Sequence, residues 1–221
     1  FLTGDASHTH SAKAGQGMNV SMQDGFNLGW KLGSVLTGRS PESLLATYSA
    51  ERQPVAQQLI DFDREWASLM ARKPEDIEDP EELATFYLGT AEFPSGFMTQ
   101  YGPSMISSDA AHQSLAKGFP VGKRFKSAEV VRVGDGNVVH LGHHARADGR
   151  WRIYAFADRP AAGAPSVLAD WAERMAGAAE SPLLRHTPTG ADADAVFDVK
   201  VVYQQRFEDI EILRAPAVFL P

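Results

Sequence analysis

Residues 1–19 read FLTGDASHTHSAKAGQGMN, and no other stretch of the chain says as much about the fold. The apolar start predicts a short buried strand over Phe1 to Thr3. A loop rich in Gly, Ser and His follows it, and a helix is predicted from Gly17 to Leu36, where Thr37-Gly38 ends it. The strand delivers a carboxylate to a glycine-rich loop, and the helix begins with free N–H groups. Such an arrangement can hold a polar cofactor.

The loop offers several groups to that cofactor. Asp5 stands at the end of the predicted strand, where a carboxylate commonly accepts hydrogen bonds from sugar or ribityl hydroxyls. Gly15 and Gly17 allow the backbone to approach a flat ring closely. The partial positive charge at the helix start, Gly17 to Asn19, suits the negative charge of a reduced flavin ring. Together these features describe half of a flavin site, although each alone also occurs as ordinary turn and cap chemistry.

The composition excludes several classes of protein. The net charge is -7 and no block of Lys or Arg is present, so we expect no nucleic-acid partner. The chain has no cysteine, which removes disulfides, thiolate metal sites and cysteine nucleophiles. No apolar run approaches the roughly 20 residues of a membrane helix. We therefore expect a cytoplasmic protein without a membrane partner.

The histidines do not predict a metal site. His8 with His10, and His143 with His144, lack the i, i+4 helical spacing of a zinc site and have no carboxylate at motif distance. We expect His8 and His10 to brace the loop, and His143 and His144 to lie where a strand ends.

The rest of the chain divides into three parts by pattern. In residues 1–70 a second helix follows Ser40-Pro41, with a buried apolar stripe and a kink or split near Pro54. Glycines at 25, 29 and 33 share one helix face and predict close packing, most simply against a sheet. Residues 71–118 are irregular, with a short helix near Glu82 to Leu88 and an acidic patch (Glu75, Asp76, Glu78, Asp79, Glu81, Glu82).

Residues 119–221 predict a mixed α/β domain. A hairpin is expected over Glu129 to Leu141, because Gly134-Asp135-Gly136-Asn137 separates two β-favouring runs. Further strands are expected over Trp151 to Ala157, Phe197 to Tyr203 and Ala217 to Leu220, and a helix over Ser166 to Ala178. Both chain ends look like strands cut inside folded structure, so we expect a piece of a longer protein.

Residues 1–19 resemble the second flavin fingerprint of class A FAD-dependent aromatic hydroxylases. The continuation VSMQDGFNLGWKL (20–32) resembles the phenol hydroxylase branch, and YSAERQP (48–54) is similar to the helix that follows. Segments GFPVGKR (118–124) and DGRWRIYAFA (148–157) resemble the family's C-terminal thioredoxin-like domain. The run QLIDFDREW (58–66) is similar to the 3-hydroxybenzoate 4-monooxygenases of the group.

The resemblance implies a fold and a reaction. Residues 1–70 would be the C-terminal part of a Rossmann-like FAD-binding domain, 71–118 a connection, and 119–221 a truncated thioredoxin-like dimerisation domain. Gly4 and Asp5 would contact the ribityl and phosphate region of FAD, while Gly17, Met18 and Asn19 would offer backbone donors to the ring. The parent enzyme would use NADPH and O2 to hydroxylate a phenolic ring through a flavin C4a-hydroperoxide, and would be a homodimer.

The sequence lacks several parts of the expected enzyme and is compatible with more than one function. The chain contains no GxGxxG, so the site for the ADP half of FAD, the substrate pocket and any catalytic residue would lie upstream of Phe1. Relatives usually have Pro where this chain has Ala12. The alternatives are a phenol 2-monooxygenase, a non-catalytic dimerisation module, and a flavoprotein of the same fold with a non-aromatic substrate. We expect the piece alone to be inactive.

Overall fold

In the computed structural model, residues 1–11, 13, 15–73, 79, 81–93, 96–160 and 166–219 are described. The chain divides into two units, residues 1–125 and 126–221. Ala12, Glu75, Asp76, Glu78 and Leu220, on which some of the expectations rested, lie outside the described residues.

Three helices build the first unit. Helix α1 spans Gly17–Leu36, as predicted; α2 spans Ala46–Met70 after a 3₁₀ turn at Glu42–Leu45; and α3 spans Glu82–Thr90. The core forms where Val20 of α1 meets Val55 and Leu59 of α2, with Phe93 and Tyr101 packed against it. Burial of a side chain such as Leu59 contributes about 1.5–3 kcal/mol. The core therefore holds the start of α1 against the middle of α2.

Helix α2 is continuous through Pro54, so the predicted split is wrong. Pro54 lacks the N–H that would complete the helical ladder, which weakens the helix at that point. Its ring is exposed, however, while Arg52 and Val55 beside it are buried. The packing of these neighbours keeps the helix intact across the defect.

Aromatic rings join α3 to the C-terminal half of α2. Phe62 and Trp66 of α2 stack on Phe86 of α3, with ring centroids 5.8 and 5.7 Å apart. Phe93 adds a tilted contact to Phe62 at 5.1 Å. Stacked aromatic pairs of this kind add about 0.5–1.5 kcal/mol beyond the burial of their surface. The cluster fixes the far end of α2.

The second unit is mixed α/β, as predicted. Strands β1 (Glu129–Val131) and β2 (Val138–His140) form the expected antiparallel hairpin, and β3 (Trp151–Phe156) pairs in parallel with β4 (Phe197–Val202). A parallel pair needs a crossover connection, and helices α4 (Val167–Gly177) and α5 (Pro182–His186) lie in it. Ser166 and Ser181 cap the two helices with their side chains.

The strands expected at the two chain ends are wrong for the described residues. Phe1 and Leu2 are exposed and lead into a 3₁₀ turn, and Ala217–Phe219 is also a 3₁₀ turn. A strand requires a neighbouring strand, and the first residues have none in the described part of the chain. The ring of Phe1 instead meets Tyr48 edge-on, with centroids 6.1 Å apart.

The glycine face of α1 is open. A Cβ atom built on Gly25, Gly29 or Gly33 would meet no described atom within 4 Å. The close packing predicted for this face is therefore not made by the described residues. None of the described helices is both long and apolar enough to cross a membrane.

Candidate cofactor site

Gly4 begins a tight turn that lies against α1. The turn is a 3₁₀ helix, Gly4–Ala6, and Gly4 has a φ of 56°, in the left-handed region that favours glycine. A Cβ atom at Gly4 would lie 2.8 Å from Oγ of Ser21 on α1. Both facts explain why this position is glycine, and they place the turn directly on the N-terminal part of the helix.

Asp24 of α1 is the centre of a buried hydrogen-bond network. Its Oδ2 accepts from the backbone N–H of Gly4 at 3.1 Å and from Nε2 of His8 at 2.8 Å, and its Oδ1 accepts from Nε of Arg52 at 2.6 Å. Arg52 comes from α2 and also donates to the hydroxyl of Tyr101 at 3.1 Å. One carboxylate thus joins the turn, α1 and α2.

The network sets the charge of Asp24. Burial alone would raise the pKa of this carboxyl, but hydrogen bonds from His8, Arg52 and Gly4, together with the positive charge of Arg52, lower its pKa below the ordinary value. Because Asp24 accepts from Nε2 of His8, that nitrogen carries the proton. The other ring nitrogen, Nδ1, is buried and has no hydrogen-bond partner among the described residues.

A second buried layer lies one helical turn further along α1. Lys31 is fully buried and donates to Oε2 of Glu51 at 2.6 Å, and Asn27 donates to the same oxygen at 2.7 Å. Burial lowers the pKa of Lys31, and the hydrogen bond and charge of Glu51 oppose that shift. Asp24, Asn27 and Lys31 share one face of α1 at helical spacing, and this buried polar face was not predicted.

Helix α2 also holds the glycine-rich loop. Oδ2 of Asp63 accepts from the backbone N–H of Ser11 at 2.7 Å, and Oδ1 accepts from the Ser11 hydroxyl at 2.8 Å. Nε1 of Trp66 donates to the carbonyl oxygen of Lys13 at 3.3 Å. This part of α2 was predicted to be core, and these contacts, which join residues about 50 positions apart, were not predicted.

The first N–H groups of α1 are not capped by the described residues, although the ring of His10 packs against Gly17. Gln16, at the N-cap, makes no side-chain cap bond, and the N–H groups of Gly17, Met18 and Asn19 have no acceptor among the described residues. Met18 is 72% exposed. The ring of His10 lies so close to Gly17 that a Cβ there would be 2.3 Å from it. His8 and His10 do brace the loop, as expected.

The remaining predicted residues are also accessible. Gly15 has a φ of 66°, and a Cβ atom there would meet no described atom within 4 Å. Asp5 is exposed, and its carboxylate has no hydrogen-bond partner in the part of the chain that the structure describes. A carboxylate and helix N–H groups that have no partner among the described residues, together with an exposed glycine backbone, are groups that a ribityl chain and a flavin ring can bind. The residues present fit FAD.

A metal site is not formed by the described residues, since they contain no group of three His, Asp or Glu side chains that could hold an ion. His140 ends β2, and His143 and His144 follow in a 3₁₀ turn, where they were expected.

Two protein families match the chain. Residues 99–221, more than half of it, match the family described as phenol hydroxylase, C-terminal dimerisation domain. Residues 1–63 match the family described as FAD binding domain, and this range includes the turn, the loop and the Asp24 network.

Similar proteins include a 3-hydroxybenzoate 4-monooxygenase of Comamonas testosteroni, which is 48% identical over all of this chain and 35% of its own length. A phenol 2-monooxygenase of Aspergillus fumigatus is 36% identical over all of the chain and 36% of its own length. The chain thus spans about a third of these curated relatives.

Among solved structures, OxyS anhydrotetracycline hydroxylase from Streptomyces rimosus matches 92% of this chain and 34% of its own, with 27% identity and a TM-score of 0.53. BexE matches 91% of this chain and 35% of its own, with 26% identity and a TM-score of 0.56. The two family matches and these relatives agree. The chain belongs to the phenol hydroxylase family of FAD-dependent aromatic hydroxylases.

Proposed function

We propose that the complete protein containing this chain is an FAD-dependent monooxygenase that hydroxylates a phenolic ring with NADPH and O2. The observation that carries the proposal is the turn at Gly4 and Asp5, which is held on α1 by the buried Asp24 and leaves the exposed Asp5 carboxylate without a hydrogen-bond partner among the described residues. Bound FAD would supply the electron transfer from NADPH to O2, and the protein supplies position and electrostatics.

Six residues of the chain would hold the cofactor. Gly4 and Asp5 would contact the ribityl and phosphate region, with Asp5 accepting hydrogen bonds from hydroxyl groups. Gly15 and Gly17 would let the backbone approach the ring, and Met18 and Asn19 would donate from their free N–H groups. The N-terminus of α1, a helix of 20 residues, favours negative charge on the ring.

A 3-hydroxybenzoate-like substrate is favoured over phenol. The support is the 48% identity with a protein named 3-hydroxybenzoate 4-monooxygenase, against 36% with one named phenol 2-monooxygenase. Phenol hydroxylation is therefore the second candidate function. A role as a non-catalytic dimerisation module is the third, and it rests on the family match of residues 99–221.

We also propose that residues 119–221 form a thioredoxin-like domain through which the protein makes a homodimer. Residues 1–70 would complete an FAD-binding domain, and residues 71–118 would connect the two domains. The protein would act in the cytoplasm. The parallel pair of β3 and β4 with helices in its crossover supports the thioredoxin-like fold. Light scattering on the complete protein should give twice the mass of one chain. A single-chain mass at micromolar concentration would contradict the dimer.

The function is tested by anaerobic reduction of the bound flavin in the complete protein. NADPH should bleach the flavin faster when 3-hydroxybenzoate is present. Acceleration by phenol alone would favour the second candidate. A complete protein that binds no flavin would overturn the enzyme proposal in favour of the dimerisation module.

Asp5→Asn tests the placement of the cofactor. Loss of the charge should weaken FAD binding roughly 10–100-fold, because a hydrogen bond to a charged group contributes about 1.5–3 kcal/mol. Asp61→Asn, which changes another exposed aspartate, is the matched control and should bind FAD as the unchanged protein does. Equal affinities in the two variants would contradict the role of Asp5.

A further inference from the structure

Ser11 is bonded to α2 through both of its hydrogen-bond donors, the backbone N–H and the side-chain hydroxyl. The carboxylate of Asp63 receives the Ser11 N–H on one oxygen and the Ser11 hydroxyl on the other, at 2.7 and 2.8 Å. Ser11 itself is exposed, whereas Asp63 is only 6% exposed. Two donors on a single buried carboxylate define both the position and the orientation of the serine.

A second contact lies next to the first. Trp66 follows Asp63 by three residues, so the two side chains share one face of α2. Its indole N–H donates to the carbonyl of Lys13, two residues beyond Ser11. The hydroxyl oxygen of Ser11 in turn accepts from the N–H of Lys13 at 3.2 Å. The loop is therefore fixed at two places shortly before Gly15 and Gly17.

This face of α2 is itself held in place. Trp66 stacks on Phe86 of α3, and Phe62, adjacent to Asp63, stacks on the same ring. Above them, Leu59 is fully buried in the core of the unit. The carboxylate of Asp63 therefore belongs to a well-packed part of α2. Because the carboxylate is held in place, its bonds to Ser11 hold the loop in place as well.

We infer that Asp63 is a positioning residue for the cofactor, acting through Ser11. Only a few residues separate Ser11 from the open helix start at Gly17, so fixing Ser11 restricts where the N–H groups of Gly17, Met18 and Asn19 can lie. Asp63 bonds the loop directly, and the inference assigns it no contact of its own with the cofactor. The inference rests on the proposed function, because it assumes that these N–H groups receive the FAD ring.

The test uses the complete protein with Asp63→Ala, Ser11→Ala and the double variant. Asp63→Ala should weaken FAD binding roughly tenfold or more, because both bonds to the loop are lost. Ser11→Ala should have a smaller effect, since its N–H still reaches Asp63. The double variant should be no weaker than Asp63→Ala alone, which would show that both residues act through one contact.

Asp61→Ala is the matched control, because Asp61 lies on the same helix and is exposed. The visible absorption of the flavin at saturating FAD is the second readout, as it reports the surroundings of the ring and not the stability of the fold. Asp63→Ala should change its band shape and Asp61→Ala should not. If Asp63→Ala does not fold, Ser11→Ala, a change at an exposed position, should still show the altered band.

The outcomes separate the two claims. If the unchanged complete protein binds no FAD, the proposed function fails and the inference fails with it. If it binds FAD, but Asp63→Ala and Ser11→Ala match Asp61→Ala in affinity and band shape, the inference is wrong while the proposed function stands.

Discussion

The two units differ in how deeply their principal ion pairs are buried. In the first unit, Asp24, Lys31, Glu51 and Arg52 are all at most 5% exposed. In the second unit most ion pairs lie near the surface at turns, as in the pairing of Arg132 with Asp135 in the hairpin. The first unit uses charge to join separate elements, and the second uses it mainly within neighbouring stretches of chain.

The difference predicts different sensitivity to mutation. A buried ion pair contributes little net stability, yet removing one partner leaves an uncompensated charge and is strongly destabilising. An exposed pair is screened by water and salt, and its loss is close to neutral. Since the buried network includes the N–H of Gly4, damage to the network should directly disturb the turn that begins at Gly4.

The largest effect is expected from Arg52→Met. This change leaves Asp24 buried without its cation and should destabilise the first unit by about 3–5 kcal/mol. Loss of hydrogen-exchange protection in α2 of the complete protein measures it. Arg150→Met, which removes a partly exposed cation of the second unit, should leave the protection of both units nearly unchanged. Similar losses of exchange protection in the two variants would contradict the proposed difference between buried and exposed ion pairs.

Lys31→Met should be the next most damaging change. It leaves Glu51 with Asn27 as its remaining buried partner, and we expect a loss of about 2–4 kcal/mol, somewhat less than a fully unpaired charge gives. The double change Lys31→Met with Glu51→Leu should be less damaging than Lys31→Met alone, because Glu51 is then no longer left as a buried carboxylate without its cation. Hydrogen exchange in α1 gives the measurement, and a double variant worse than the single one would contradict the explanation.

The acid stability of the two units should also differ. The pKa of Asp24 is lowered in the folded protein, so the stability it provides is fully present above the unfolded pKa of about 3.9 and is lost as the pH falls through the folded pKa. The first unit should therefore lose exchange protection progressively below about pH 4. Asp24→Asn should flatten this dependence, and an unchanged slope would show that other groups control it.

Asp135 provides the contrasting case in the second unit. Hydrogen bonds from Arg132 and Asn137 lower its pKa strongly, but the carboxylate lies at the surface. The same titration in Asp135→Asn should leave the acid unfolding of the second unit as it is. The size of a pKa shift alone does not identify the charges that matter for stability.

Local pattern and long-range contact explain which predictions hold. Helix α1 and the hairpin were predicted closely because periodicity, Gly38 and the Gly134 to Asn137 turn are local signals. The strand at Phe1 to Thr3 was wrong because its pairing depends on residues far away. The packing predicted for the glycine face of α1 failed for the same reason, because the local spacing of the glycines does not show which distant residues lie against them.

The site was recognisable in part. Gly4, Asp5 and Gly17 stand in a compact motif, and the residues that support them do not. Asp24 and Asp63 are separated from their loop partners by 20 and 52 residues, so no local pattern connects them. Polar residues at helical spacing on α1 were the available signal. The cofactor contacts themselves stay predictions.

Among the changes that should lower stability, the smallest effects are expected at the helix caps of the second unit. Ser166 accepts from the N–H of Leu168, but Asp158 accepts from the same group and from the N–H of Val167, so Ser166→Ala should remove well under about 1 kcal/mol. Ser181 is buried, and its hydroxyl bonds both the carbonyl of Met175 and the N–H of Leu183. Ser181→Ala should therefore lose about 1–2 kcal/mol, because no second acceptor for the Leu183 N–H is found among the described residues. Amide hydrogen exchange in the first turns of α4 and α5 measures the loss of stability in the two variants. If Ser166→Ala proved the more damaging, the loss of a polar group near the surface would cost more than the loss of a buried one. That result would contradict the comparison of the two units, in which buried polar groups matter most.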